Sequence, residues 1–231
     1  QTGPYGGEVP RIFANMDSTL LPVLVETIQH STHADFCVGY FNLRGWKQID
    51  RHIEAWEGGD GNACRLLVGM HRSPQHDLKA ALGIAFEEQA LDNAQLLKLK
   101  AQLADEFREQ LTLGVPTDED EAGLRRLSAQ IRAKKVVVKL FLRLTLHAKL
   151  YLLFRADPVN PKIGFLGSSN LTFAGLSQQG ELNVDVMDHD ACEKLADWFQ
   201  SRWDDRWCID ISDELATIMQ TSWERETTVP P

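Results

Sequence analysis

The period of apolar and polar positions changes several times along the chain. ADFCVGYF (34–41) and ACRLLVGM (63–70) are short continuous apolar runs, which predicts two buried strands. STLLPVLVETIQHS, ahead of the first, has a helical repeat. Asp17 or Ser18 is expected to cap it, with Pro22 tolerated only near its start. RGWKQIDRHIEAWEGG predicts an amphipathic helix stopped by Gly58 and Gly59. LGIAFEEQALDNAQLLKLKAQLADEFREQLTLG is strongly helical. Pro116 and the acidic run at 118–121 punctuate it before a further helix, EAGLRRLSAQIRAKK. IGFLGSSN and ELNVDVMD (181–188) predict two later strands, and ACEKLADWFQSRWDDRW a helix with a Trp and Phe face. Strands alternating with helices predict the α/β class, a mixed β-sheet flanked by helices. The expected layout is one domain over 15–223 with a helical insertion around 84–133. Residues 1–14 are expected to be a flexible tail, and 224–231 a linker or tail.

The segment 139–151 carries the sharpest pattern. Its even positions are Leu140, Leu142, Leu144, Leu146, Ala148 and Leu150; its odd positions include Lys139, Arg143, Thr145, His147 and Lys149. Such alternation predicts strand, with one face in the core and one largely polar. The run is long for one strand, so a break is expected near 142–145. His147 and Lys149 would then share a face about 7 Å apart. An imidazole beside an ammonium attracts anions and can attack them.

Composition narrows the choices without deciding them. The 231 residues suit one large domain or two small ones, with 43% hydrophobic and 25% charged residues. The net charge of -9 argues against a surface coated with basic charge, though not against a local basic groove. The four cysteines, Cys37, Cys64, Cys192 and Cys208, include no CxxC pair, which predicts reduced thiols in a cytoplasmic protein rather than a zinc site. No run is long and apolar enough to predict a membrane helix. A basic group, Arg132, Lys134, Lys135, Lys139 and Arg143, precedes His147. It reads equally as a track for a nucleic-acid backbone or as the charged end of a helix. His71 and His76 could line the same cleft, but read more simply as surface positions. Trp198, Phe199, Trp203 and Trp207 read as core packing.

Downstream of His147, GFLGSSNLTFAG places Gly167, Ser168 and Asn170 just past a predicted strand, where a phosphate can approach closely. Glu181 heads another strand. The succession HAK…GSSN…E resembles the phospholipase D superfamily, whose signature joins HxK, an Asp that would fall at position 154, and a GSxN-like segment. This chain has Phe154 there. In that respect it is similar to the nuclease branch, where some restriction endonucleases use a downstream Glu, here Glu181. From Asn15 to Trp223 the order of elements also resembles the phospholipase D-like domain found ahead of superfamily 2 helicase modules in bacteria.

The resemblance implies metal-independent phosphodiester hydrolysis with no cofactor. His147 would attack phosphorus and a second, protonated histidine would donate to the leaving oxygen. Lys149, Asn170 and Ser168 would stabilise the non-bridging oxygens, and Glu181 would hold the imidazole. Gly167, Lys135, Lys139 and Arg143 would border the substrate. With a single HxK in the chain, the second histidine implies a homodimer sharing one site. The expected partner is nucleic acid, DNA more than RNA, with a helicase module in the same longer chain and no membrane. Two alternatives stay open: a helicase-linked DNA-binding module that cleaves weakly, and, against the Phe154 departure, a phospholipid hydrolase.

Overall fold

A computed structural model describes residues 10–69, 93–111 and 118–226. Eight strands form one mixed sheet: β1 (Ile12–Ala14), β2 (Ser31–Val38), β3 (Cys64–Val68), β4 (Val136–Phe141), β5 (Leu150–Arg155), β6 (Lys162–Gly167), β7 (Leu182–Val186) and β8 (Cys208–Asp210). Their order is β1-β7-β6-β5-β2-β3-β4-β8. Only β2, β3 and β4 run parallel to one another; the other neighbours pair antiparallel. The sheet is therefore the mixed, helix-flanked α/β arrangement that the alternating pattern predicts.

Among the described residues the helices are α1 (Leu20–Gln29), α2 (Leu43–Trp46), α3 (Asp50–Ile53), α4 (Asn93–Leu111), α5 (Asp118–Arg132), α6 (Phe173–Ser177), α7 (His189–Trp203) and α8 (Ser212–Glu226). One face of the sheet presents Phe36, Val38, Leu66, Val68, Val138, Leu140, Tyr151 and Leu153. They pack in one core with Leu24 and Ile28 of α1, Leu103 and Phe107 of α4, Leu127 and Ile131 of α5, and Met219 of α8. The opposite face presents Cys37, Leu67, Leu150 and Leu152 to Phe199 and Trp203 of α7. Phe199 and Trp203 are thus buried in packing, as read from the sequence.

Several expected boundaries move. Residues 12–14, assigned to a tail, pair with β7 as the edge strand β1. The helix expected over 44–59 divides into α2 and α3. Between them Gln48 and Ile49 donate to carbonyls three residues back, and the tighter winding turns Trp46, Ile49 and Ile53 all inward. α1 is preceded by Thr19, not Asp17 or Ser18, and has no side-chain cap. The helical stretch read as an insertion supplies α4 and α5, which lie between β3 and β4. Parallel neighbours need such a crossover, so these helices belong to the sheet's connectivity. α5 begins at Asp118, so the acidic run read as punctuation opens a helix. α8 extends past 223 to Glu226.

Candidate active site

The site grows from the end of β4. Strand geometry stops at Phe141 and resumes at Leu150, so His147 and Lys149 lie in the segment between β4 and β5 rather than in a strand. The expected break is present but runs on through 149. The two side chains do not stand as strand neighbours: the Lys149 ammonium turns back and donates to the His147 carbonyl at 2.7 Å. His147 is exposed and Lys149 half-buried.

The segment is seated by its neighbours. Leu146 packs its side chain beneath α7. The Lys149 carbonyl accepts the Gly167 N–H at 3.3 Å, which joins the HxK segment to the end of β6. A Cβ added at Gly167 would lie 2.3 Å from the Leu182 carbonyl, so only glycine fits there.

The loop after β6 is tightly held. Ser169, fully buried, receives the Tyr151 hydroxyl at its carbonyl (2.8 Å), donates its N–H to Asn183 Oδ1 (3.3 Å) and accepts Asn183 Nδ2 at Oγ (2.7 Å). Ser168 Oγ accepts the Leu182 N–H at 3.0 Å and lies 3.4 Å from the Leu182 carbonyl. Its hydroxyl therefore ties the loop to β7. Asn170 reaches across to the end of β2, where its Oδ1 accepts the Tyr40 N–H at 2.9 Å. From the point where a Gly39 Cβ would lie, Asn170 Oδ1 is 3.4 Å away and Lys149 Nζ is 3.6 Å away. Asn170 Oδ1 and Lys149 Nζ thus border one small volume beside Gly39.

Glu181 immediately precedes the Leu182 that Ser168 holds, and its carbonyl accepts the Asn15 N–H at 3.3 Å. Its charge reaches the Tyr151 phenol, which burial first and Glu181 second push well above its usual range. The phenol consequently stays neutral and donates to Ser169. Cys37, the thiol nearest the segment, is 3.9 Å from the Ala148 carbonyl. Burial pushes it up to about 12, with Arg202 and Lys149 opposing only weakly. It is a core residue rather than a rival nucleophile.

Three of the basic group are engaged by other partners. Lys135 donates to the carbonyl and carboxylate of Glu54, Lys139 donates to the Trp203 carbonyl and lies over its ring, and Arg143 pairs with Asp205 at 2.9 Å. Lys134 and Lys139 line a groove of about 630 Å³ with His33, Ala63, Arg65 and Trp203. That groove runs from the start of β2 to Lys139, which pairs with Leu67 at the level of Cys37. The six residues from His33 to Gly39 span about 20 Å of strand. His71 and His76 lie outside the described residues.

Position 154 is equally remote. Phe154 lies at the far end of β5, about 17 Å along the strand from Lys149. There it pairs with His33 and Lys162, stacking on the His33 ring at 4.2 Å. An aspartate at 154 would stand at the end of β5 opposite to Lys149.

Sequence reasoning missed Gly39, Tyr40, Ser169 and Asn183. The glycine directly after the buried strand in CVGYF was the available signal. Ser169 and Asn183 act through partners far apart in sequence.

Comparison with known proteins finds several solved structures that this chain is similar to. Nuc from Salmonella typhimurium, a phospholipase D family member, is 10% identical, with 87% of this chain and 96% of that one covered at a TM-score of 0.49. NucT from Helicobacter pylori is 12% identical, with 87% and 98% covered at 0.49. Phosphatidylserine synthase from Haemophilus influenzae Rd KW20 is 15% identical, with 94% and 45% covered at 0.48. No curated protein matches in sequence. The profile described as "Cardiolipin synthase, PLD-like domain" matches residues 24–203, a span that holds the HxK segment, the GSSN loop and Glu181, and by that match the chain belongs to the phospholipase D-like family.

Proposed function

We propose that the chain is a metal-independent nuclease that cleaves DNA through a phosphohistidine on His147. Phosphodiester hydrolysis or transfer is the chemistry of the phospholipase D superfamily, and the chain belongs to the family. The observation that carries the reading is that Lys149 Nζ and Asn170 Oδ1 meet at Gly39, with the exposed His147 two residues before Lys149. Lys149 uses one N–H on the His147 carbonyl and keeps two for an anion. Asn170 is fixed through its oxygen, which turns its NH2 away from Tyr40.

The reaction has two displacements. A His147 ring nitrogen attacks phosphorus, a P–N bond forms, and the P–O bond to one nucleotide breaks. The leaving oxygen takes a proton from a second imidazole. That imidazole then removes a proton from water, which attacks phosphorus and breaks the P–N bond. Lys149 and Asn170 stabilise the charge that builds on the non-bridging oxygens, where fixed donors act most strongly. Ser168 contributes by holding the loop, and Glu181 orients the His147 ring. No step draws on a metal or an organic cofactor.

The chain has one HxK, so the second imidazole is assigned to His147 of a second copy, and the working unit is a homodimer. An exposed nucleophile suits a polymer better than a lipid held in a deep cleft. Four buried thiols suit a reducing, cytoplasmic setting. A helicase module in the same longer chain, as in defence or restriction systems, would deliver the DNA.

The test is incubation of the protein and its His147→Ala variant with single- and double-stranded DNA in EDTA. Cleavage by the first alone is expected. Binding without cleavage by either would make the chain a DNA-binding module, and cleavage of phosphatidyl lipids alone would replace DNA as the substrate.

A further inference from the structure

The neighbouring parallel strands β2 and β3 are each followed directly by a glycine. A Cβ at Gly39 would lie 2.7 Å from the Leu146 carbonyl oxygen. One at Gly69 would lie 2.8 Å from the Gly39 carbonyl oxygen and 3.2 Å from that of Leu146. Gly69 N–H donates to the Val38 carbonyl at 2.9 Å, which keeps the two strand ends together. All of these are approaches to main chain, which cannot swing aside as a long side chain can. The carbonyl just before His147 therefore rests on two bare strand ends.

The next residue, Tyr40, contributes its main chain. A backbone N–H can only donate, so its 2.9 Å bond to Asn170 fixes which end of that amide faces β2. The NH2 is left on the side away from that N–H.

We infer that Gly39, Gly69 and the Tyr40 N–H are positioning groups of an oxyanion site. The glycines set the depth of the segment bearing His147 and Lys149. Tyr40 turns Asn170 so that its NH2 and the Lys149 ammonium donate to the same phosphoryl oxygens. The catalytic consequence rests on the phosphodiesterase reading above; the oxyanion site itself is decided by binding. A side chain at 39 must push the Leu146 carbonyl out by several tenths of an ångström. Misplacement of about 1 Å at reacting atoms costs roughly 100-fold in rate.

The experiment compares Gly39→Ala, Gly69→Ala and Asn170→Asp with a control, Gly164→Ala. The control's Cβ would meet only side chains, Leu195, Val186 and Leu152, at 3.4 to 3.7 Å. Inorganic phosphate binding is followed through the His147 imidazole signals by NMR, turnover with bis(p-nitrophenyl) phosphate, and folding by thermal unfolding. Gly39→Ala and Gly69→Ala are expected to fold, to bind phosphate about tenfold more weakly, and to lose about 10- to 100-fold in kcat with a smaller change in KM. Gly164→Ala should match the unaltered protein. Asn170→Asp keeps an acceptor for Tyr40 but lacks the NH2, so it should fold and lose phosphate binding.

A folded Gly39→Ala that binds phosphate and turns over normally overturns the inference. So does undiminished phosphate binding by Asn170→Asp, which decides the matter if the alanine variants fail to fold. An unaltered protein that binds no phosphate also overturns it. Phosphate binding without turnover of any phosphodiester upholds the site and rejects the proposed reaction instead.

Discussion

Two residues far from the site carry predictions of their own. Burial holds the His33 imidazole below its ordinary value of 6.5, against a smaller opposing pull from Asp35. The unfolded chain therefore binds a proton there before the folded chain does. The stability contributed by neutral His33 is complete above pH 6.5 and is lost as the pH falls from there through the lower folded value. Thermal midpoints between pH 7.5 and 5.5 should drop less for His33→Phe than for the unaltered protein; parallel curves would contradict this. Lys134 has a φ of +55°, the left-handed region that favours glycine. It ends α5, with its N–H on the Ile131 carbonyl and the Lys135 N–H on that of Gln130, a pattern that glycine closes at least cost. Lys134→Gly should therefore raise stability by about 1 kcal/mol in denaturant unfolding; a loss would mean that contacts of the Lys134 side chain outweigh the strain of its backbone.

At the scale of elements, β2 and β3 are joined by more than backbone. Asp35, only 1% exposed, receives Arg65 through two nitrogens at 2.6 and 2.7 Å, and Arg65 also reaches Gln200 of α7 and lies over the Phe199 and Trp203 rings. Asp35→Ala would leave the guanidinium without its charge partner beneath α7. It should cost about 3 kcal/mol in denaturant unfolding, and a loss under 1 kcal/mol would show that the aromatic stack alone holds Arg65. The elements also show what the sequence made legible. Continuous apolar runs located β2 and β3, and strict alternation located β4, because both depend on which faces meet core. The same alternation misplaced His147 and Lys149. Leu146 and Leu150 are buried whether or not the residues between them form a strand, so burial period alone cannot tell strand from a connecting segment. β1 is three residues long and α8 lacks a sharp stripe, so neither stood out. The HxK and GSSN segments were legible as chemistry, whereas the Tyr40 bond to Asn170 and the Ser169–Asn183 pair arise only when distant segments meet.

For the whole molecule, the decisive feature is that its proposed nucleophile is single and exposed. A site shared across a two-fold axis requires an intact His147 on both sides. Mixing the unaltered chain with His147→Ala under conditions that exchange subunits should lower activity as about the square of the unaltered fraction. A linear fall would place a complete site in each chain. The most direct test of the account is the covalent intermediate itself. The protein is mixed with bis(p-nitrophenyl) phosphate in EDTA, quenched within milliseconds in base, which preserves phosphorus bound to histidine, and read by peptide mass spectrometry. The prediction is an aryl phosphate adduct on His147 that forms and decays at rates consistent with turnover and is missing from His147→Ala. Turnover with no adduct at His147, or with the adduct on another residue, would contradict it.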